Sequence, residues 1–488
     1  MGCLNVDNIV LNGWEMRLSI SRVSRADLVR LLIALAALSF LLTLRAEYMG
    51  EEAVYSLLSL EMHHYGSDLT PILYGAVYGR PPLFNWLIMP LADWLGWQHV
   101  LQAARMVTAL ATLATAGLTL WIARMSGLPQ RAAELAALVF LSMAYALFWY
   151  GWISYSDALF GFCIMLAIAA GIAAVVEKRH AWLLLACLAL IAGFLTKALT
   201  IYVFYAAAML VLAVRQKSWG FLLHWRSLLI HAAALAFPWV WWRLLTPGMS
   251  QGSGMLGDIL SRMQEQHHQN YLDDQLGFVV DGFKMLLPLS LVFPVLAWRD
   301  RRRQRLAGST RQPATLPPMV WTLLWIVALN FLPYLIAPQS NVRYVYPLTG
   351  LVAVIFAAMA ASRDWERAVI VAAASFIALK YALGIGWLPA YQQRAHNFKA
   401  AALEISRVVG SAPLYVDNTA WQGLSVAANI DVMRLQHPLR FPQPGDQGYL
   451  LAYSKKPDWP IVVKVYRFGD PLYLLCRGSQ CPRPGAHP

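Results

Sequence analysis

Three carboxylates and three cations stand where apolar stretches of this chain give way to polar ones: Glu51, Glu52, Arg80, Asp157, Lys197 and Arg343, with Tyr344 beside the last. Arginine binds phosphate through a planar fork and lysine as a point charge. Carboxylates suit general-base work or metal binding. Gathered on one face, these groups would make a polar cavity that holds a phosphate next to a carboxylate. Ionisable groups at membrane depth are expensive and are usually paired or functional.

The elements that must position them are membrane spans. Of 488 residues, 59% are hydrophobic and only 13% charged, about half the charge of a soluble domain. Apolar runs of about 17 to 22 residues recur, which is bilayer-crossing length for a helix. Twenty Trp and 21 Tyr suit interfacial belts. The net charge of +13 is concentrated in short loops between apolar runs, as the positive-inside bias requires, so nucleic acid is not an expected partner. The chain reads as a polytopic α-helical membrane protein.

Arginines precede the first span, 28–44, which puts residues 1–27 in the cytoplasm and the first outer loop at 45–103. Met16 is a possible alternative start, and the opening Met-Gly-Cys lacks the Ser or Thr a lipidation signal needs, because position 6 is Val6. The stretch 83–97, short and containing Pro90 and Asp93, is expected to lie along the interface. Further spans are expected over 104–123, 132–150, 158–176, 181–196, 199–213, 228–245, 281–297, 319–337, 344–361 and 368–388. That makes about eleven crossings. A long polar loop, 246–280, faces outward, and "RDRRRQR" marks the inside. The membrane domain therefore covers 28–390. Residues 391–488 carry a helix pattern over 397–409 and the strand-like runs "PLYV", "GYLLAY", "IVVKVY" and "YLLC", a small outward α/β domain. Cys476 and Cys481 in that domain are expected to form a disulfide, with free thiols the alternative. Cys3, Cys163 and Cys187 carry no expected function.

Each candidate has a structural alternative. Glu51 and Glu52 suit the positive end of a helix beginning near Ala53. Arg80 suits a snorkelling interfacial residue, and Asp157 a helix cap. Lys197 suits a hairpin-tip cation, and Arg343 a partner for headgroup phosphate. His63 and His64 beside Glu61, and His267 and His268 beside Glu265 and Asp273, are possible metal groups, but neighbouring histidines diverge on a helix and no metal is expected. The aromatic run Phe148 to Trp152 reads as interface belt.

The stretches "GEEAVYS", "YGRPPLFNW", "YSDALFGF", "GFLTKALTIYVF" and "NVRYVYPL" resemble, in order, motifs of the polyprenyl-phosphate-dependent GT-C glycosyltransferases. That group includes the protein O-mannosyltransferases and the bacterial lipid A aminoarabinose transferases. The resemblance covers roughly residues 28–360 and implies a GT-C fold with a C-terminal periplasmic domain. It implies transfer of one sugar from an undecaprenyl phosphate carrier to an envelope acceptor, such as lipid A or lipopolysaccharide, at the periplasmic face of a bacterial inner membrane. Glu51 takes the place of the family's catalytic Asp, with Glu52 its neighbour and Asp157 the second carboxylate. Arg80 takes the place of the Lys that meets the carrier phosphate, and Lys197, Arg343 and Tyr344 help hold phosphate or sugar. The expected chemistry is an inverting displacement by a monomer with no cofactor. Glu for Asp and Arg for Lys suggest a different sugar or acceptor. The rival readings are a flippase or transporter, a carrier-binding protein, and an O-antigen ligase or polymerase.

Overall fold

The computed structural model describes residues 24–245, 271–307, 315–336, 341–395, 397–417 and 421–482. Met16, Cys3, Glu265, His267 and His268 lie outside them, as does most of the expected loop 246–280. Most of the described chain is helical. In chain order the helices are α1 Arg25–Ser39, α2 Glu52–Tyr65, α3 Leu83–Leu95, α4 Val100–Met125, α5 Gln130–Ser142, α6 Ala144–Phe148, α7 Asp157–Glu177, α8 His180–Thr196 and α9 Thr200–Arg215. They continue as α10 Trp219–Leu222, α11 Trp225–Val240, α12 Tyr271–Met285, α13 Leu289–Ala307, α14 Pro318–Ile336, α15 Thr349–Ser362, α16 Glu366–Ala382, α17 Leu388–Ala395, α18 Phe398–Val409 and α19 Trp421–Met433.

Among the described residues, six helical stretches are long and apolar enough to cross a membrane, or seven if a bent pair counts as one. They include Arg25–Thr43, Asp157–Glu177 and Pro318–Ile336. The expected spans at 181–196 and 199–213 are the shorter helices α8 and α9, and the stretch 83–97 is the 13-residue α3.

Three expectations are corrected. The run 132–150 is not one span: Met143 adopts an extended backbone and separates α5 from α6. Residues 271–280 are helical rather than loop, and the expected span 281–297 is broken, with α12 and α13 meeting at 84°. The run Phe148 to Trp152 is no interface belt throughout, since Tyr150 and Trp152 are buried. Trp152 stacks beneath two cations, Arg105 at 5.2 Å and Lys380 at 4.6 Å.

The C-terminal unit is a four-stranded sheet with α18 and α19 packed together beside it. Its strands, β3 Leu414–Val416, β4 Gly448–Ala452, β5 Ile461–Phe468 and β6 Asp470–Arg477, occur in the order β3-β4-β6-β5. The strand-like runs of the sequence fall on these four. Asn397 caps α18 by accepting the Ala400 N–H. Helix α19 is a second helix beside the one expected over 397–409. Cys476 and Cys481 are joined by a disulfide.

This unit is not separated from the helices before it. Phe398, Ile405, Val426 and Leu474 share one apolar core with Tyr48, Ala53, Leu57, Tyr74 and Leu101. Helix α2 packs on α19. Between α2 and α3 lies a two-stranded hairpin, β1 Ile72–Leu73 and β2 Ala76–Val77. Its turn residues Tyr74 and Gly75 donate their N–H groups to Glu61 of α2, at 2.7 and 2.9 Å.

Two outcomes are expected. Arg105→Ala would strand the buried Glu52 and three backbone carbonyls that Arg105 binds. Breaking such a pair costs about 3–5 kcal/mol, so the variant should fail to fold or lose thermal stability heavily in detergent; a melting temperature close to that of the unaltered chain would contradict this. The second outcome concerns pH. Burial pushes the Glu61 carboxyl from 4.5 up to about 7, against the two N–H bonds that hold it down. Its raised value means that its contribution is complete below 4.5 and is lost as pH rises through 7. Tyr65 and Asp431 feel its charge, and burial also raises Asp431. Melting temperature against pH should therefore fall less steeply in Glu61→Gln; an unchanged slope would refute the assignment.

Candidate active site

Residues 50 to 52 open α2, and their geometry separates the two acids. Gly50 has φ +59°, and a Cβ there would lie 2.2 Å from the Tyr155 hydroxyl, so only glycine fits. This tight passage lets the Glu51 N–H donate to the Tyr155 hydroxyl at 2.8 Å. Burial raises the Tyr155 phenol above its ordinary range, which keeps it neutral in that role. Successive helical residues point about 100° apart, so Glu51 and Glu52 face different surroundings.

Glu52 faces the protein interior and is wholly buried. Its two oxygens take Arg105 Nε at 2.8 Å and Nη2 at 2.6 Å, the Ser154 N–H at 2.8 Å and the Met49 N–H at 2.8 Å. The expectation that Glu52 stands beside Glu51 in the cavity is corrected: it is committed to holding the backbone. Glu51 remains about a quarter exposed, and its Oε2 accepts from Arg343 Nη1 at 3.2 Å.

Asp157 sits in the first turn of α7, where the positive helix end favours an acid. It binds Arg343 through Oδ2, from Nη2 at 2.6 Å and Nε at 2.8 Å, and Lys197 Nζ through Oδ1 at 2.5 Å. Lys197 is the residue that ends α8. Arg343 lies in a short 3-10 turn, Val342–Leu348, whose start is capped by Asn341. Arg343 also lies over the Tyr155 ring at 4.8 Å, and Lys197 over Tyr344 at 5.7 Å. Residues separated by up to 292 positions thus form one chain of charges, Glu51–Arg343–Asp157–Lys197.

Arg80 approaches from the loop between the hairpin and α3. It is exposed, donates to the Tyr55 hydroxyl at 3.3 Å and lies over the Tyr78 ring at 5.7 Å. Tyr55 is bonded in turn to the Ser156 hydroxyl at 2.9 Å. Among the described residues no carboxylate pairs with Arg80, although the charges of Glu51 and Arg343 reach it. Three cations, Arg80, Lys197 and Arg343, therefore meet two carboxylates, Glu51 and Asp157, and leave one positive charge over. An added phosphate would find that excess at an open arginine.

The structure thus unites Glu51, Arg80, Asp157, Lys197, Arg343 and Tyr344, and sets Glu52 behind them. Sequence reasoning missed Tyr55, Tyr155 and Arg105. Tyr55 follows Glu51 by four residues and so shares its side of α2. Arg105 stands out only as a charge inside an apolar run. Among the described residues no three His, Cys, Asp or Glu are placed to hold a metal ion.

No protein-family model matches the chain. In sequence it is 26% identical over 343 residues to the undecaprenyl phosphate-alpha-4-amino-4-deoxy-L-arabinose arabinosyl transferase 1 of Sodalis glossinidius (strain morsitans). That match takes in 67% of this chain and 58% of the relative, so the chain spans under two thirds of the curated protein it matches. In structure it is similar to ArnT from Cupriavidus metallidurans. The apo form gives a TM-score of 0.66 at 16% identity, covering 92% of this chain and 97% of that one. The form bound to undecaprenyl phosphate gives 0.67 at 15% identity, covering 94% and 100%. The fold is that of the ArnT structures, and the resemblance read from the motifs to the aminoarabinose transferases is met in both sequence and fold.

Gly50→Ala would impose a left-handed φ on alanine and press its Cβ onto the Tyr155 hydroxyl, costing about 2 kcal/mol. Thermal stability should fall. Adding Tyr155→Phe should recover part of it, because the clashing oxygen is gone. Equal melting temperatures for Gly50→Ala and the unaltered protein would show that the passage is not tight.

Proposed function

We propose that this chain is a polyprenyl-phosphate-dependent glycosyltransferase of a bacterial inner membrane. It moves a single hexose or pentose from an undecaprenyl phosphate carrier to an envelope acceptor, such as lipid A or lipopolysaccharide, at the periplasmic face. The observation that carries this reading is the juxtaposition of an open Arg80 with Glu51 in a cluster one charge positive. The names of the relatives support the carrier and the reaction class: one is an undecaprenyl phosphate-linked aminoarabinose transferase, and another binds undecaprenyl phosphate.

In this reading Arg80 meets the carrier phosphate first. Arg343 and Lys197, held by Asp157, add the field that takes up charge as the phosphate leaves. Arg343 occupies Oε2 of Glu51 and leaves Oε1 to receive the acceptor hydroxyl. The acceptor oxygen bonds to the anomeric carbon as the carbon–oxygen bond to phosphate breaks. The electron pair leaves with the carrier phosphate, and the acceptor proton passes to Glu51. Where the acceptor is itself a phosphate there is little proton to remove, and Glu51 only orients it. Glu52 acts on the backbone that presents Glu51. We place the C-terminal unit, residues 391–488, on the same side as this cluster.

Glu51→Gln separates an enzyme from a flippase or a carrier-binding protein. Turnover with an undecaprenyl-phosphate-linked sugar should fall at least about a hundredfold, while binding of undecaprenyl phosphate is kept. Mass spectrometry of envelope glycolipids from a strain lacking the gene should show a missing sugar. Full turnover in Glu51→Gln, together with an unchanged glycolipid profile, would overturn the reading.

A further inference from the structure

We infer that Glu61 is a positioning residue for Arg80, acting through the hairpin 72–77, and that the C-terminal unit holds the same hairpin from its other side. The inference rests on the function proposed for Arg80.

Glu61 lies outside the charge cluster and is completely buried. Among the described residues no cation forms an ion pair with it; it accepts the N–H groups of Tyr74 and Gly75. A carboxylate buried without a counter-charge is costly. Its return is geometric, because each oxygen binds one residue of a two-residue turn. Both turn residues have positive φ, 55° at Tyr74 and 75° at Gly75. That conformation matches the twist of a tight hairpin, but for a bulky residue such as tyrosine it is strained and persists only where the surroundings enforce it.

The opposite side of the turn is held by the C-terminal unit. The Phe441 N–H donates to the Tyr74 carbonyl at 3.2 Å, and the two rings meet edge to face at 5.4 Å. The Arg440 Cβ approaches the position a Gly75 Cβ would take, at 3.7 Å. A turn gripped from both sides has little freedom to rotate.

Only four residues separate Gly75 from Arg80, and they are themselves bonded. The Tyr78 N–H donates to the Pro71 carbonyl and the Arg80 N–H to the Tyr78 carbonyl, each at 2.7 Å. Pro81 and Pro82 follow and lead into α3. The orientation of the hairpin is thereby passed to the Arg80 backbone and to the Tyr78 ring beneath its guanidinium. Glu61 touches no reacting group; it sets where the phosphate-binding cation stands.

The test is a double-mutant cycle on the full-length protein in detergent or nanodiscs, with an undecaprenyl-phosphate-linked sugar as donor. Glu61→Ala should raise KM for the donor about tenfold, the worth of one well-placed charged hydrogen bond, with kcat changed far less. Glu61→Gln should fall between, since its amide oxygen still accepts one N–H. In an Arg80→Ala background Glu61→Ala should add almost nothing, because the group it positions is gone. Phe441→Leu loosens the other grip and should show the same dependence on Arg80 if Glu61→Ala proves too unstable to assay. Effects of Glu61 and Arg80 that multiply independently, or an unaltered KM in both Glu61→Ala and Phe441→Leu, would overturn the inference. An unaltered chain that neither transfers the sugar nor binds undecaprenyl phosphate would instead end the functional reading on which it stands.

Discussion

The ion pair between Arg105 and Glu52 is the contact on which the rest of the site depends. Neither side chain is exposed. Arg105 spends its donors on both Glu52 oxygens and on the carbonyls of Thr43, Ala46 and Glu47. Glu52 in turn accepts the Ser154 N–H. One guanidinium on α4 thereby joins the end of the first helix, the start of α2 and the loop that leads into α7. A buried pair is a weak source of net stability, because desolvation consumes much of the attraction. Its effect here is to bring together three chain segments, two of which carry residues of the charged cluster.

Two of those segments hold the proposed chemistry, within three residues of Glu52 or of Ser154. Glu51 precedes Glu52, and Tyr155 and Asp157 follow Ser154. Fixing residues 52 and 154 fixes where Glu51 and Asp157 face each other across Arg343. Tyr155 adds a second tie, accepting the Glu51 N–H while its ring lies under the Arg343 guanidinium. The charged cluster is therefore built on helix ends and a short capped turn, supported by a dry layer behind it. Such support keeps side chains oriented without the reorganisation a mobile surface would need.

The C-terminal unit belongs to the same construction. Its core is continuous with the first outer segment through Tyr48, Leu57 and Tyr74, and its Phe441 reaches the hairpin that precedes Arg80. The one cation of the cluster with no carboxylate partner among the described residues is thus also the one whose loop is held jointly by both parts of the chain. In the proposed reading, the position of Arg80 depends on the docking of the C-terminal unit against the hairpin.

Much of this was legible in the sequence, for reasons that are local. Lipid-crossing helices must be apolar over their length, so runs such as 158–176 and 319–337 announced α7 and α14 directly. Alternating and buried short runs marked all four strands of the C-terminal sheet, and the ordered motifs pointed to an ArnT-like fold. Hydropathy does not register direction, so a broken apolar run looks like a straight one. The break at Met143 was invisible for that reason, whereas the one between α12 and α13 falls at Pro288, a breaker the apolar run masked. Two adjacent glutamates also look alike in a string of letters. Helical rotation turned one toward Arg343 and buried the other against Arg105, and packing alone decided which partners each would meet. Side-chain type and helix-forming pattern belong to the sequence by itself; the meeting of Glu51, Asp157 and Arg343 across as many as 292 positions belongs to the tertiary structure, because charges so far apart are neighbours only after the helices have packed.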